Sequence, residues 1–157
     1  MKKATILCVV GFAVMMLTTL SAPAQDHAYV GATKCKMCHK VEYTSWEQTV
    51  HAKATEAAKN STERTFDSSC LKCHATNASE EYPGVQCEAC HGPGSNYIKM
   101  SIMKDKETAI ANGLVIPDQQ TCNGCHTGED HAKKVEFSKE IHNKKAIHEF
   151  KNPPPGY

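Results

Sequence analysis

Cys35, Cys38 and His39 repeat as Cys70, Cys73 and His74, then as Cys87, Cys90 and His91, then as Cys122, Cys125 and His126. Each set has the spacing Cys-x-x-Cys-His. Two thiols three positions apart, followed at once by an imidazole, form the attachment pattern of a c-type haem. The thiols add across the two vinyl groups as thioethers, and the neighbouring His becomes the proximal axial ligand of the iron. Zinc knuckles and redox dithiols also use Cys-x-x-Cys, but neither requires a His directly after each pair. With 9 His in 157 residues, four such placements by accident have odds on the order of one in 100,000 against a motif of this kind. Eight of the 9 Cys lie in these units, and the ninth, Cys8, lies near the N-terminus. None is left for a disulfide, and no residue stands out as catalytic.

Five imidazoles remain after the four proximal ones: His27, His51, His131, His142 and His148. Four irons need at most four second ligands. His51 lies beside a helical stripe of Trp46, Val50, Ala54 and Ala57, among small residues that would let a flat macrocycle approach. At 100° per residue, Phe137, Ile141 and His148 fall within about 40° of one another, whereas His142 falls off that stripe. His51 and His148 are therefore the foremost candidates for distal ligands. His27, eight residues before Cys35, and His142 follow, and His131 stays open. Met100 and Met103 could supply thioether ligands, which raise reduction potentials, but at helical spacing they read as packing residues.

The elements that must position these groups are mainly helical, with much irregular chain. Apolar periodicity predicts helices over 41–60, 97–112 and 135–150, the second stopping at Gly113. Residues 60–69 and 76–86 read as loops, the latter punctuated by Pro83-Gly84, and His91-Gly92-Pro93-Gly94 reads as a tight turn. The tail from Lys151, with Pro153, Pro154 and Pro155, favours polyproline extension. No long sheet is readable.

Met1-Lys2-Lys3, an apolar run from Ala4 to Leu20 and Ser21-Ala22-Pro23-Ala24 follow the order of a secretory signal peptide. Residues 1–24 are expected to be cleaved, leaving 25–157 as one domain with no membrane span, in the periplasm or outside a bacterial cell. Losing Lys2 and Lys3 takes the formal charge from +1 to −1, which gives no basis for nucleic-acid binding. Aromatics are few, with one Trp, five Tyr and four Phe. Four haem c groups would therefore supply much of the core, and the apoprotein is expected to be largely unfolded. A domain of this length has a radius of gyration of about 14 Å, so the haems must be near neighbours.

Val30-Gly31-Ala32-Thr33-Lys34 leading into the first unit, Ser45-Trp46, Val50-His51-Ala52-Lys53-Ala54, Gly84-Val85-Gln86 with the third unit and Gly92-Pro93-Gly94, and Lys145-Ala146-Ile147-His148-Glu149 together resemble the tetrahaem cytochrome c-554 family. The resemblance implies a mostly helical fold with haems in closely packed pairs. It implies that His51 caps the third haem and His148 the fourth, and that the second haem lacks a sixth ligand in the best-known branch. It also implies electron transfer between periplasmic redox proteins, including away from hydroxylamine oxidation. The chain departs from the pattern in being shorter and in having no His between His91 and His126.

The leading functional expectation is an electron carrier whose partners are other redox proteins. A self-associating haem filament and a redox enzyme acting on a small nitrogen compound at an open haem are the alternatives.

Overall fold

The computed structural model describes residues 26–153. Among the described residues nine short helices follow one another: α1 (Ala32–Cys35), α2 (Lys40–Trp46), α3 (Ala54–Lys59), α4 (Leu71–His74), α5 (Cys87–His91), α6 (Met100–Met103), α7 (Lys106–Ala111), α8 (Gln119–Asn123) and α9 (Phe137–Glu140). Single 3₁₀ turns lie at Ser68–Cys70, Thr76–Ala78 and Gly94–Asn96. Among the described residues there is no strand, only isolated bridges from Ala75 to Pro83 and Gly84. The mainly helical class with much irregular chain is borne out. The expected signal segment 1–24 and most of the proline-rich tail lie outside the described residues.

All three long helices read from periodicity are broken. The first splits into α2 and α3. Thr49 is wholly buried, and its hydroxyl donates to the Trp46 carbonyl while accepting from the Ala52 amide. These local bonds compete with helical ones. The Val50 amide leaves the helix entirely to pair with the Lys145 carbonyl. The second splits at Asp105, whose carboxylate accepts from the Thr108 amide and so starts α7 afresh. The third stops at Glu140, where Asn143 takes over. Its side chain donates to Glu140 and accepts from the Lys145 amide, while its carbonyl receives the Ala146 and Ile147 amides. The helical stripe that singled out His148 therefore does not exist. Gly113 does end α7, with positive φ and its amide on Ile110.

The interior is knotted together by polar groups around residues 82–86. Thr55 Oγ1 donates to the His74 carbonyl and accepts from the Gly84 amide at 2.7 Å. Thr76 Oγ1 donates to the Gly84 carbonyl at 3.0 Å and accepts from the Gln86 amide at 2.8 Å. Trp46 Nε1 donates to the Val85 carbonyl at 2.9 Å, and Gln86 Oε1 accepts from the Ala32 amide at 2.7 Å. One loop thus ties α1, α2, α3 and α4 to α5. Gly84 is required here: φ is +78°, and a Cβ would run into the Ala52 carbonyl. Among the described residues the buried apolar side chains are Ala32, Tyr43, Ala54, Leu71, Ala75, Tyr97 and Ala109, too thin a core for a chain of this size.

Candidate functional site

Each Cys-x-x-Cys-His unit lies in or against a short helix. The second and third coincide with α4 and α5, the fourth starts inside α8, and the first begins at the last residue of α1. In the first and fourth units, which run past the helix ends, the His amide still bonds back to the carbonyl of the first Cys: His39 to Cys35, and His126 to Cys122, each at 2.9 Å. One turn of helix is what brings two thiols three residues apart and the next imidazole onto one side.

The units are close neighbours. Cys35 and Cys87 share a hydrogen bond between their thiols, which pulls Cys35 down and, with burial, pushes Cys87 up. Burial raises Cys125 to about 12, with the nearby Cys73 adding to the effect. Burial also raises Cys90 to about 11, and Cys122 is close enough to add to it. These contacts order the units in space as first, third, fourth, second. The first and third, and the second and fourth, touch through sulfur, as expected of closely packed pairs. Buried thiols held protonated are poor nucleophiles, which argues against a redox dithiol at Cys87 and Cys90 and at Cys122 and Cys125. In a haem-loaded chain every one of these sulfurs would be a thioether.

Among the described residues, six of the imidazoles stand in close pairs. His74 and His131 have ring centroids 5.9 Å apart and planes 16° apart. His51 and His126 are 6.1 Å apart, and His91 and His148 6.5 Å. A metal–imidazole bond is about 2 Å and the ring centre lies about 1 Å behind its nitrogen, so two rings on opposite faces of one metal sit about 6 Å apart. All three pairs have that spacing.

The ring nitrogens are sorted to match. Nδ1 faces a backbone carbonyl in His74 (Ala54, 3.1 Å), His91 (Val115, 3.1 Å), His126 (Lys133, 2.9 Å), His51 (Ala146, 2.9 Å) and His148 (Glu149, 2.8 Å). In His131 it faces the Asp130 carboxylate at 3.2 Å. An Nδ1–H given to a carbonyl or carboxylate fixes the tautomer and leaves Nε2 as the donor atom for a metal. Burial also holds His51 and His91 below the ordinary imidazole value, favouring the neutral form that ligates.

The pairing differs from the one the resemblance implies. His51 stands against the fourth unit, not the third, and His148 against the third, not the fourth. The reason is the strap formed by 143–151. Its Lys145 carbonyl takes the Val50 amide and its Ala146 carbonyl takes His51 Nδ1, so two residues later His148 is carried on to His91. His131 was the least supported candidate in the sequence, and no periodicity marks it; the turn from Gly128 to Asp130, both at positive φ, swings it back onto His74. His27 is placed elsewhere. Its Nδ1 lies 3.3 Å from Asn96 Nδ2, and its ring covers Gly113, where a Cβ would meet it. His142 follows α9, its amide on the Lys139 carbonyl. Met100 is largely exposed and sits in α6 with Met103.

Residues 34–92 match the family described as cytochrome c554 and c-prime. A curated relative, cytochrome c-554 of Nitrosomonas europaea, is 34% identical, the match covering 56% of this chain and 48% of that protein. The chain thus spans about half the length of the curated relative it matches. The solved structure of the reduced state of cytochrome c554 from Nitrosomonas europaea superposes with a TM-score of 0.63 at 23% identity, covering 79% of this chain and 86% of the other; this likeness concerns the fold. The cofactor is haem c, four groups to the chain, and the resemblance to the cytochrome c-554 family read from its motifs is borne out.

Proposed function

We propose that this chain is an exported, periplasmic electron carrier working between other redox proteins, with no substrate of its own. Haem supplies one-electron ferric–ferrous chemistry when bound. The chain's own residues attach it, hold it and shield it. Cys35 and Cys38, Cys70 and Cys73, Cys87 and Cys90, and Cys122 and Cys125 are the attachment thiols, with His39, His74, His91 and His126 as proximal ligands. His131, His148 and His51 complete the second, third and fourth sites respectively. For the first site the remaining imidazoles are His27 and His142.

The observation that carries this reading is the set of three imidazole pairs at two-ligand spacing. A site closed on both faces has no room for substrate, and a six-coordinate ligand set needs little rearrangement between oxidation states. The helical units are also in sulfur contact, as a relay requires. Intact mass and electron paramagnetic resonance of the purified protein test the proposal. Four haem additions with at least three low-spin haems, insensitive to carbon monoxide, are expected. A mass without four additions, or high-spin iron at more than one site, would overturn it.

A further inference from the structure

Glu88 is buried to 2% exposure inside α5, between the two Cys of the third unit. Oε1 accepts from the Val30 amide at 3.0 Å and the Gly94 amide at 2.6 Å, and Oε2 from Val30 at 3.1 Å and Gly31 at 2.8 Å. Every polar partner is an N–H donor, so both oxygens act only as acceptors, as an ionised carboxylate does. No Lys or Arg forms an ion pair with it among the described residues. A fixed, unneutralised negative charge therefore sits in the interior, where screening by solvent is weak. Its position is specific. The residue before it is Cys87, and its Val30 and Gly31 partners lead directly into α1, which ends at Cys35. Those two thiols touch each other, and both respond to the Glu88 charge.

We propose that Glu88 is a positioning and tuning residue: a buried anion that lowers the reduction potentials of the first and third haems relative to the second and fourth. The inference rests on the haem-relay reading above. A ferric haem carries one more positive charge than a ferrous one, so a nearby anion favours the oxidised state. Among the described residues the second and fourth units have no carboxylate so deeply buried. Asp67, Asp118, Glu129 and Asp130, which faces His131, are exposed to solvent, and Glu140, whose charge reaches Cys122 and His51, is half-buried. A relay ordered first, third, fourth, second would then carry a step in potential between its third and fourth units, fixed by one side chain.

The test is a redox titration of haem-loaded Glu88→Gln against the parent protein, followed optically and by electron paramagnetic resonance. Two of the four midpoints should rise, with the ferric-to-ferrous ratio at those two changing at least tenfold at a fixed applied potential, about 59 mV for one electron. Gln86→Leu is the structural control. It removes the neighbouring bond to Ala32 in the same clamp and no charge, so its midpoints should stay put. If Glu88→Gln does not load haem, Glu88→Asp keeps the charge with fewer bonds and should keep parental potentials. Unchanged midpoints in Glu88→Gln, an equal rise at all four haems, or a rise in Gln86→Leu or Glu88→Asp would overturn the assignment. Absence of haem from the parent protein would instead remove the relay reading.

Discussion

Replacing His131 by Gly isolates one ligand pair from the fold. The His131 side chain is 54% exposed and touches Asp130, which also pairs with Arg64 at the surface. Exposed ion pairs of this kind contribute little to stability, so the variant should fold and load haem like the parent. The spectroscopic effect should be large, because the His131 ring is the one that stands 5.9 Å from His74. Removing it takes the sixth ligand from the second haem alone. One haem's worth of low-spin signal should convert to high-spin, about a quarter if four haems start low-spin and about a third if three do, and about one additional carbon monoxide should bind per chain. Added imidazole should restore the low-spin signal by filling the vacated position, a rescue that a general loosening of the fold would not give. The measurement is the difference between variant and parent spectra, so the state of the first haem drops out. An unchanged low-spin fraction with no extra carbon monoxide would refute the pairing and return His74 to the five-coordinate state the family resemblance implies.

Gly84→Ala should destabilise the haem-loaded protein by at least ~1–2 kcal/mol from the left-handed backbone alone, with the Ala52 carbonyl adding to it, seen as a lower Tm. Trp46→Phe removes the donor to the Val85 carbonyl and should cost about 1 kcal/mol, measured as a shift in denaturant midpoint. Hydrogen bonds from Thr108 hold the Asp105 carboxyl below its ordinary value. A depressed folded-state value means that the cap is fully present above the unfolded carboxyl range near ~4 and is lost as pH falls through the folded one. Thr108 amide exchange should accelerate only at that acidic end, and in Asp105→Ala it should be fast throughout. Chain made without haem should lack helical circular dichroism, since among the described residues four of the seven buried apolar ones are alanines; a native-like spectrum would show that the peptide core suffices.

What was legible in the sequence was local. Cys-x-x-Cys-His is a five-residue statement, so the four units and the cofactor could be read directly. Gly113 and the Gly-Pro-Gly turn were legible for the same reason. The helices at 41–60 and 135–150 were overread because periodicity cannot see Thr49 and Asn143 turning their side chains onto the backbone. His148 was chosen through a stripe that is not formed, and it nonetheless stands opposite His91 because of a strap that sequence spacing does not encode. His131 had no local signal at all. Its place depends on a turn at positive φ and on the neighbouring unit already being there.

The strap explains why the ligands cross over. Residues near the C-terminus return to the start of the chain: Lys145 to Val50, Ala146 to His51, Glu149 to Ser45 and Lys151 to Glu42. An imidazole from the N-terminal half is thereby placed at the last unit, and one from the C-terminal end at the third. His51 and His148 each face a ring more than fifty positions away, so neither pair can close until the whole chain is present. Loops of this length carry little extra entropic cost per residue once closed, but their closure is slow relative to local turns. Thioether attachment needs only the local unit, whereas the crossed pairs need the strap. Covalent tethering therefore does not depend on the strap, whereas the crossed imidazole pairs form only when the fold is complete.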